Sequence, residues 1–368
     1  MNHKLLEPLM RRMAEGFLRC KTSEGGFQDP VNNIIDARPA GEIARFFLAL
    51  NKLDVAKQAW DWIITQQNPN GSWKEITEII TEDENTLSTA VIVRSLLEGY
   101  VSTKKSAYLE AAKKGLMFIL EKEFRPGYYI KSDNHYVDLL NMSATAAACF
   151  QRMYVITNNS FWKEAQNRAL FKTIRHQFKD GAYPYTSTER LFPYEDHMNI
   201  RDLYYHSLTL FYLQLADPFS THRYTQFSLK RAQKWLIPQI RRRTPWRNSK
   251  VIFTVGSVGF YGYSAFILAN MQNIHETNIC LYHLTQLQKN DGLFNRYESP
   301  AFFDSLFGYL RELFEWNYIS PTNYSLRTRL WRLKRRVIHD IKERRKNKTS
   351  LFYSAQIANA LAECYSRS

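Results

Sequence analysis

Apolar residues along the chain recur mostly at helical spacing, which predicts a series of amphipathic α-helices. These helices are of two alternating kinds. The first kind keeps a polar side, as in residues 59–67 (AWDWIITQQ) and 108–123 (YLEAAKKGLMFILEKE). The second is rich in Ala, Ser, Thr and Gly, as in residues 85–100 (NTLSTAVIVRSLLEGY) and 137–154 (VDLLNMSATAAACFQRMY). Because small side chains let helices converge, the pattern predicts polar outer helices around a crowded inner set.

A glycine turn followed by an aromatic residue comes between an outer helix and the next inner helix. The turns are residues 24–28, 67–73, 125–129, 177–183 and 288–294, with a degenerate copy at 255–260. Most of their glycines are roughly fifty residues apart, which fits two helices and two loops. The repeat predicts an all-α fold, an (α/α)6 toroid of helical hairpins forming one domain over residues 1–368. An open helical solenoid is the alternative.

Composition fits a large buried core, since 45% of the residues are hydrophobic. No stretch approaches the roughly 20 apolar residues of a membrane-spanning helix, and no signal peptide is visible, so a cytoplasmic protein is expected. The four cysteines are scattered, without metal-ligand spacing. They predict buried free thiols, with neither a disulfide framework nor a metal site, and no motif calls for a cofactor.

The chain is strongly basic, with a net charge of +15. Such a charge favours anionic partners, among them acidic saccharides, pyrophosphate and acidic membrane surfaces. Much of the excess lies in a helical segment around residues 325–348, which is either a solvated helix or a contact with a membrane surface. No nucleic-acid-binding motif accompanies the charge, so a specific nucleic-acid partner is not expected.

The motif Gln67 to Trp73 (QNPNGSW), followed by residues 84–90 (ENTLSTA), resembles the repeats of the terpenoid-cyclase and protein-prenyltransferase toroids. The hairpin pattern also resembles the six-hairpin glycosidases and, most closely, polysaccharide-biosynthesis proteins of the VpsJ type. The resemblance implies a toroid that handles a glycan or an isoprenoid. The chain lacks the DxDD motif of the cyclases, since Asp83 is followed by Glu84 and Asn85. It also lacks a DDxxD motif and the zinc-ligand set of the prenyltransferases.

Ligands of αα-toroids bind at the axial end where loops lead into the inner helices, so the polar residues behind the glycine turns are the candidates. The richest loop is 183–206 (YPYTSTERLFPYEDHMNIRDLYYH), whose rings suit stacking on sugars. Helical spacing predicts one shared face for Asp202, Tyr205 and His206. The predicted catalytic residues are Tyr204, Tyr205, His206, Asp202, His197 and Arg201. A tyrosine-rich inner helix with an N-terminal aspartate is the structural alternative.

Other loops supply predicted substrate-binding residues, although helix capping and i, i+4 pairing explain several of them equally well. The predicted set is Arg38, Glu42, Asp83, Glu84, Asn85, His135, Asp138, Tyr183, Tyr185 and Arg296. We therefore expect an acidic saccharide, or another anionic ligand, in the axial mouth. A Tyr or His base would serve a lyase or epimerase, and two carboxylates a hydrolase. An isoprenoid-handling toroid and a non-catalytic scaffold are the alternatives.

Overall fold

The structure is a computed structural model, which describes residues 2–76, 83–189, 201–219, 221–241, 258–295, 330 and 349–366. Helices of two kinds alternate along this part of the chain. Six have most of their residues buried: α2 (Ala37–Ala49), α4 (Thr86–Thr103), α6 (Leu140–Thr157), α8 (Leu203–Ala216), α10 (Gly259–Asn270) and α12 (Leu351–Tyr365). Six are buried on one side: α1 (His3–Cys20), α3 (Leu53–Thr65), α5 (Ser106–Glu121), α7 (Ser160–Arg175), α9 (Arg223–Ile240) and α11 (Ile274–Leu287).

The buried helices form a closed inner ring. Neighbours contact one another in the order α2, α4, α6, α8, α10 and α12, and α12 packs against α2 again. The N-terminal helix α1 packs on both α12 and α11, so the two ends of the chain complete the circle. The predicted (α/α)6 toroid is therefore confirmed, and the open solenoid is excluded.

The glycine turns fasten each hairpin to the next outer helix. At Gly71 the backbone has φ +89°, and an added Cβ would lie 2.4 Å from the carbonyl oxygen of Lys114 on α5. Gln67 donates from Nε2 to the carbonyl of Gly71 at 3.0 Å and to that of Ala111, also on α5, at 2.9 Å. A side chain at this glycine would be strained and would also collide with the neighbouring backbone.

The turn at residues 288–294 repeats this arrangement where the ring closes. Gln288 donates to the carbonyls of Gly292 and of Leu9, the latter on α1. A Cβ on Gly292 would lie 2.0 Å from the carbonyl oxygen of Arg12. The aromatic residue of each turn is fully buried: Phe27, Trp73, Tyr129, Tyr183 and Phe294. The sequence repeat is therefore a repeated hydrogen-bonded turn.

Two short antiparallel sheets lie in loops that lead into inner helices. One pairs β1 (Lys74–Glu75) with β2 (Asp83–Glu84), with Glu75 opposite Asp83. The other has the order β3 (Glu123–Arg125), β4 (Tyr128–Ser132) and β5 (His135–Asp138). Asp83, Glu84, His135 and Asp138, which the sequence predicts as substrate-binding residues of loops, lie in these strands.

The described residues contain no helix long and apolar enough to cross a membrane. All four cysteines are free, and three of them are buried. The basic segment around 325–348 lies outside the described residues apart from Leu330, and its contact with a membrane stays a prediction.

Candidate functional site at the mouth of the toroid

One face of α2 carries charged side chains along the axis. Arg38, Glu42 and Arg45 follow one another at i, i+4 and i+7, and each is at least nine-tenths buried. Asp36 caps the helix, with Oδ1 accepting from the backbone N–H of Arg38 at 2.7 Å. Its Oδ2 accepts from the N–H of Ile76 at 2.8 Å, which ties the loop before α4 to the start of α2. Burial raises the pKa of Asp36 to about 7.

Glu42 is a buried carboxyl group. Its side chain is fully buried, and neither carboxylate oxygen has a hydrogen-bond partner among the residues that the structure describes. Burial raises its pKa to about 7, although the charges of Arg38 and Arg45 act to lower it. A carboxyl group of this kind holds a proton near neutral pH, as a general acid must.

Arg38 links this acid to the loops of the mouth. Its guanidinium lies 3.9 Å from the carboxylate of Glu75 and 4.7 Å from the ring centre of Phe352. Burial acts to lower the pKa of Arg38, but the nearby carboxylates of Glu42 and Glu75 raise it above its ordinary value. Asn85 caps α4 through Oδ1 and donates from Nδ2 to Glu75. Arg38 is therefore a cation held between two inner helices.

Tyrosines complete the mouth on the side of α8. The half-buried rings of Tyr185 and Tyr205 lie with centres 3.8 Å apart, and Tyr204 donates to Oε1 of Gln356 on α12. Burial raises the pKa of Tyr185 to about 12, and those of Tyr204, Tyr205 and Tyr263 well above their ordinary value. These phenols therefore stay neutral and suit stacking and hydrogen bonding rather than proton abstraction.

His206 does not lie at the mouth. Its Nδ1 accepts from the backbone N–H of Tyr183 at 2.9 Å, and its ring lies 4.5 Å from that of Trp235 on α9. Thr89 of α4 and Ser354 of α12, each the fourth residue of its helix, bind the turn aromatic in the same way. Burial lowers the pKa of His206 to about 3. The predicted shared face with Tyr205 is wrong, because His206 points between α8 and α9.

Several other predicted residues are held in structural contacts. Tyr183 is the turn aromatic and bonds to Ser228, and Asp202 caps α8 through the N–H groups of Tyr204 and Tyr205. The carboxylate of Asp138 lies 2.6 Å from Nζ of Lys172 on α7, with both side chains buried. Arg201 pairs with Asp180 at 2.6 Å.

The acidic pair of β2 is also bound nearby. Glu84 accepts from Asn68 and Asn70 in the preceding turn, and Asp83 accepts from Asn134. His197 and Arg296 lie outside the described residues, as does the side chain of His135. Of the predicted set, the structure therefore brings Arg38, Glu42, Asn85, Tyr185, Tyr204 and Tyr205 together around the mouth.

Two residues of the mouth, Glu75 and Gln356, were not among those predicted from the sequence. Glu75 follows the turn aromatic Trp73 by two residues, and Gln356 occupies the sixth position of α12, as Glu42 does in α2. Aligning the starts of the inner helices would have placed Gln356 beside Glu42. No cluster of His, Cys, Asp and Glu suited to a metal ion occurs among the residues that the structure describes.

A second charged cluster lies at the opposite end of the axis. Glu98 lies 3.2 Å from Arg94 and 2.6 Å from Arg152, while Glu363 contacts Arg45 and lies 3.5 Å from Arg94. These residues line a cavity of about 620 Å³. The inner helices end here, and the negative ends of their dipoles favour cations. The cluster therefore braces four inner helices, α2, α4, α6 and α12.

No protein-family model and no curated protein sequence matches the chain. Solved structures match over nearly its full length. An α-amylase from Clostridium perfringens has a TM-score of 0.64 at 10% identity, covering 96% of this chain and 97% of its own. An inactive α-1,6-mannanase variant of Salegentibacter, in complex with α-1,6-mannotriose, has a TM-score of 0.63 at 12% identity and covers 98% and 99%. The type II terpene cyclase MstE of Scytonema has a TM-score of 0.59 at 14% identity and covers 99% of both chains.

These likenesses show the αα-toroid fold. The chain shares this fold both with enzymes named for glycans and with one named for terpenes, as the sequence resemblance implied.

Proposed function

We propose that this protein is a carbohydrate-active enzyme that binds a glycan in the axial mouth and cleaves a glycosidic bond by acid catalysis. The observation that carries the proposal is Glu42, a buried carboxyl group whose pKa is raised to about 7. Protonation of the leaving oxygen needs a carboxylic acid that keeps its proton at working pH. Glu42 meets this need, whereas the neutral tyrosines and the buried His206 supply no base for a lyase or epimerase.

The second carboxylate in this proposal is Glu75. It is held by Asn85 and by the Arg38 guanidinium, and it lies near Tyr185. A glycosidase needs one protonated and one charged carboxyl group on either side of the scissile bond. Glu42 has no hydrogen-bond partner among the described residues and suits the role of the acid, whereas Glu75 lies 3.9 Å from the Arg38 guanidinium and suits the second role.

The sugar itself would stack on Tyr185 and Tyr205, whose adjoining rings offer an amphipathic surface. Arg38 keeps its charge beside this surface, and its Nε has no hydrogen-bond partner among the described residues. A buried guanidinium with an unused donor suits a carboxylate or sulfate on the glycan. An acidic saccharide is therefore the proposed substrate class.

An isoprenoid substrate is the second candidate, and a separate observation favours it. Tyr204, Tyr212 and Tyr263 lie near the axial charges of α2 and are almost completely buried. Aromatic faces stabilise carbocations, and a protonated carboxylic acid is able to start a cyclisation by protonating an alkene. Under this alternative the mouth would take apolar polyenes rather than sugars.

The test compares Glu42→Gln with the wild-type protein on acidic and neutral oligosaccharides and on linear isoprenoids. We expect hydrolysis of an acidic oligosaccharide to fall at least about a hundredfold, with binding retained, because the amide lacks the transferable proton. Activity of the wild-type protein should decline above about pH 7, as Glu42 loses its proton.

Glu84→Gln is the control, because Glu84 is a glutamate of the β1–β2 sheet that also contains Glu75, but it bonds only to turn residues among its described contacts. It should leave turnover within about twofold of the wild type. Undiminished hydrolysis by Glu42→Gln would refute the proposed role of Glu42. Turnover of isoprenoids but not of sugars would favour the second candidate.

A further inference from the structure

A group of aromatic side chains lies exposed beside the far end of the axis. The exposed fractions are 86% for Phe219, 68% for Tyr224, 54% for Phe227 and 42% for Phe171. Phe219 belongs to the loop between α8 and α9, the next two to the first turns of α9, and Phe171 to α7. We call these four residues the aromatic face. Apolar rings gathered in this way mark a contact surface more often than single exposed residues do.

Hydrogen bonds and ring contacts fix the loop that carries Phe219 and the start of α9. Asp217 caps the loop, accepting from the N–H and hydroxyl of Thr221 and from the N–H of His222. The ring of Phe171 lies 5.6 Å from that of His222 and 6.4 Å from that of Tyr224. These contacts hold the loop against α7 and the start of α9, and the four rings lie exposed on the surface.

Positive charge accompanies these rings. Residues 218–241 contain no Asp or Glu. Arg223, Lys230 and Lys234 are exposed on α9, and none of them has a carboxylate partner in the part of the chain that the structure describes. Arg223 lies over the ring of Phe227, with 5.4 Å between its Cζ and the ring centre. Arg241 is excluded from this set, since it pairs with Glu276.

We propose that the aromatic face and the three cations of α9 form a docking surface for an anionic lipid bilayer. Phe and Tyr side chains partition into the interface between headgroups and acyl chains, while Lys and Arg beside them attract acidic headgroups. Helix α9 supplies Tyr224, Phe227 and the three cations, and its buried residues lie on the other side, facing the toroid. This is the arrangement of an interfacial helix.

A second copy of the chain fits this surface less well. A two-fold contact would set the same patch against itself, and the unpaired cations of one copy would face those of the other. An acidic bilayer instead supplies the opposite charge, so charge complementarity selects the membrane.

The test is sedimentation of the full-length protein with phosphatidylcholine vesicles, with and without phosphatidylserine. We expect binding only with phosphatidylserine, and weaker binding as ionic strength rises. The double variant Phe219→Ser/Phe227→Ser should bind at least about tenfold more weakly, because the rings no longer enter the interface. Lys230→Gln/Lys234→Gln should lose roughly tenfold or more, because each lysine adds to the attraction.

Tyr282→Ser is the control, because Tyr282 is as exposed as Phe227 (54%) but lies on α11. It should bind like the wild type. Equal binding to both kinds of vesicle, or undiminished binding by the two double variants, would overturn the proposal. A protein that ignores vesicles yet dimerises through Phe219 and Phe227 would also overturn it and assign the surface to a second copy.

Discussion

The two ends of the toroid axis both bury charge, but they treat it differently. At the far end each carboxylate lies against arginines, as Glu98 does between Arg94 and Arg152. At the mouth Glu42 has no hydrogen-bond partner in the described part of the chain, and its pKa is raised rather than lowered. A paired network braces helices, whereas an orphaned acid lowers the stability of the fold and is kept where it has a chemical use. The contrast separates scaffold from site.

The largest loss of stability is expected at the far end of the axis. Glu98→Ala removes the carboxylate between two arginines and leaves Arg152 without its close partner. Breaking a buried ion pair in this way costs about 3 kcal/mol of unfolding free energy, because an uncompensated charge remains. Urea denaturation followed by circular dichroism measures the loss. Glu110→Ala, at an exposed pair with Lys113, is the control and should change stability little. A loss equal to that of the control would contradict the bracing role.

At the mouth, removing a carboxylate is expected to raise the stability of the fold rather than lower it. The pKa of Glu42 rises from 4.5 to about 7 on folding, so the folded state binds more protons than the unfolded state between these values. Stability should therefore fall as pH rises from about 4.5 to about 7 and then level off. At pH 8 the free energy of unfolding of Glu42→Gln should exceed that of the wild type by on the order of 2 kcal/mol, because the neutral amide avoids the desolvation cost. Urea denaturation measures the difference.

Asp36 has a similarly raised pKa and should leave part of the pH dependence in the Glu42→Gln variant. A variant that is less stable than the wild type at pH 8 would contradict the account of Glu42.

A smaller effect is expected at His206. Its Nδ1 accepts from the backbone N–H of Tyr183, as the Thr89 hydroxyl accepts from that of Trp73, so His206 is a structural hydrogen-bond acceptor. His206→Ala should lower the free energy of unfolding by about 2 kcal/mol, because the ring packs on Trp235 and the Tyr183 N–H loses its acceptor. Turnover per folded molecule should stay unchanged, since no contact places the ring in the mouth. A specific loss of kcat with unchanged stability would restore a catalytic role.

The smallest effect is expected on ligand binding by the adjoining rings of Tyr185 and Tyr205. Tyr205→Phe keeps the ring that lies against Tyr185 and removes only a hydroxyl. Binding of an acidic oligosaccharide should weaken by less than about tenfold, whereas Tyr205→Ala should weaken it more, because stacking rather than the hydroxyl holds the sugar. Calorimetric titration compares the two variants. Equal losses would assign the contribution to the hydroxyl instead.

Local chemistry made the ring predictable from sequence. A glycine with positive φ, as at Gly71, recurs in five turns, and a glutamine clamp like that of Gln67 recurs at Gln177 and Gln288, because these hairpins meet equivalent neighbours. Capping by Asp36, Asn85 and Asp202 also follows from residue type and position. These features depend on a few adjacent residues, so the chain alone specifies them.

The site was less predictable, because helical spacing says which residues share a face but not which face meets the axis. His206 was misplaced for this reason. The contact of Arg45 with Glu363 joins residues from opposite ends of the chain and exists only once the ring closes. Glu75 was missed because its importance comes from Arg38, which reaches it from another helix.

The central claim is that Glu42 carries a proton near neutral pH. Carbon-detected NMR titration of glutamate carboxyl groups, with Glu42→Gln used to assign the signal, measures this directly. One glutamate carboxyl should titrate near pH 7 in the wild-type protein, and this signal should be absent from the variant. A Glu42 signal that titrates near the ordinary value of 4.5 would contradict it.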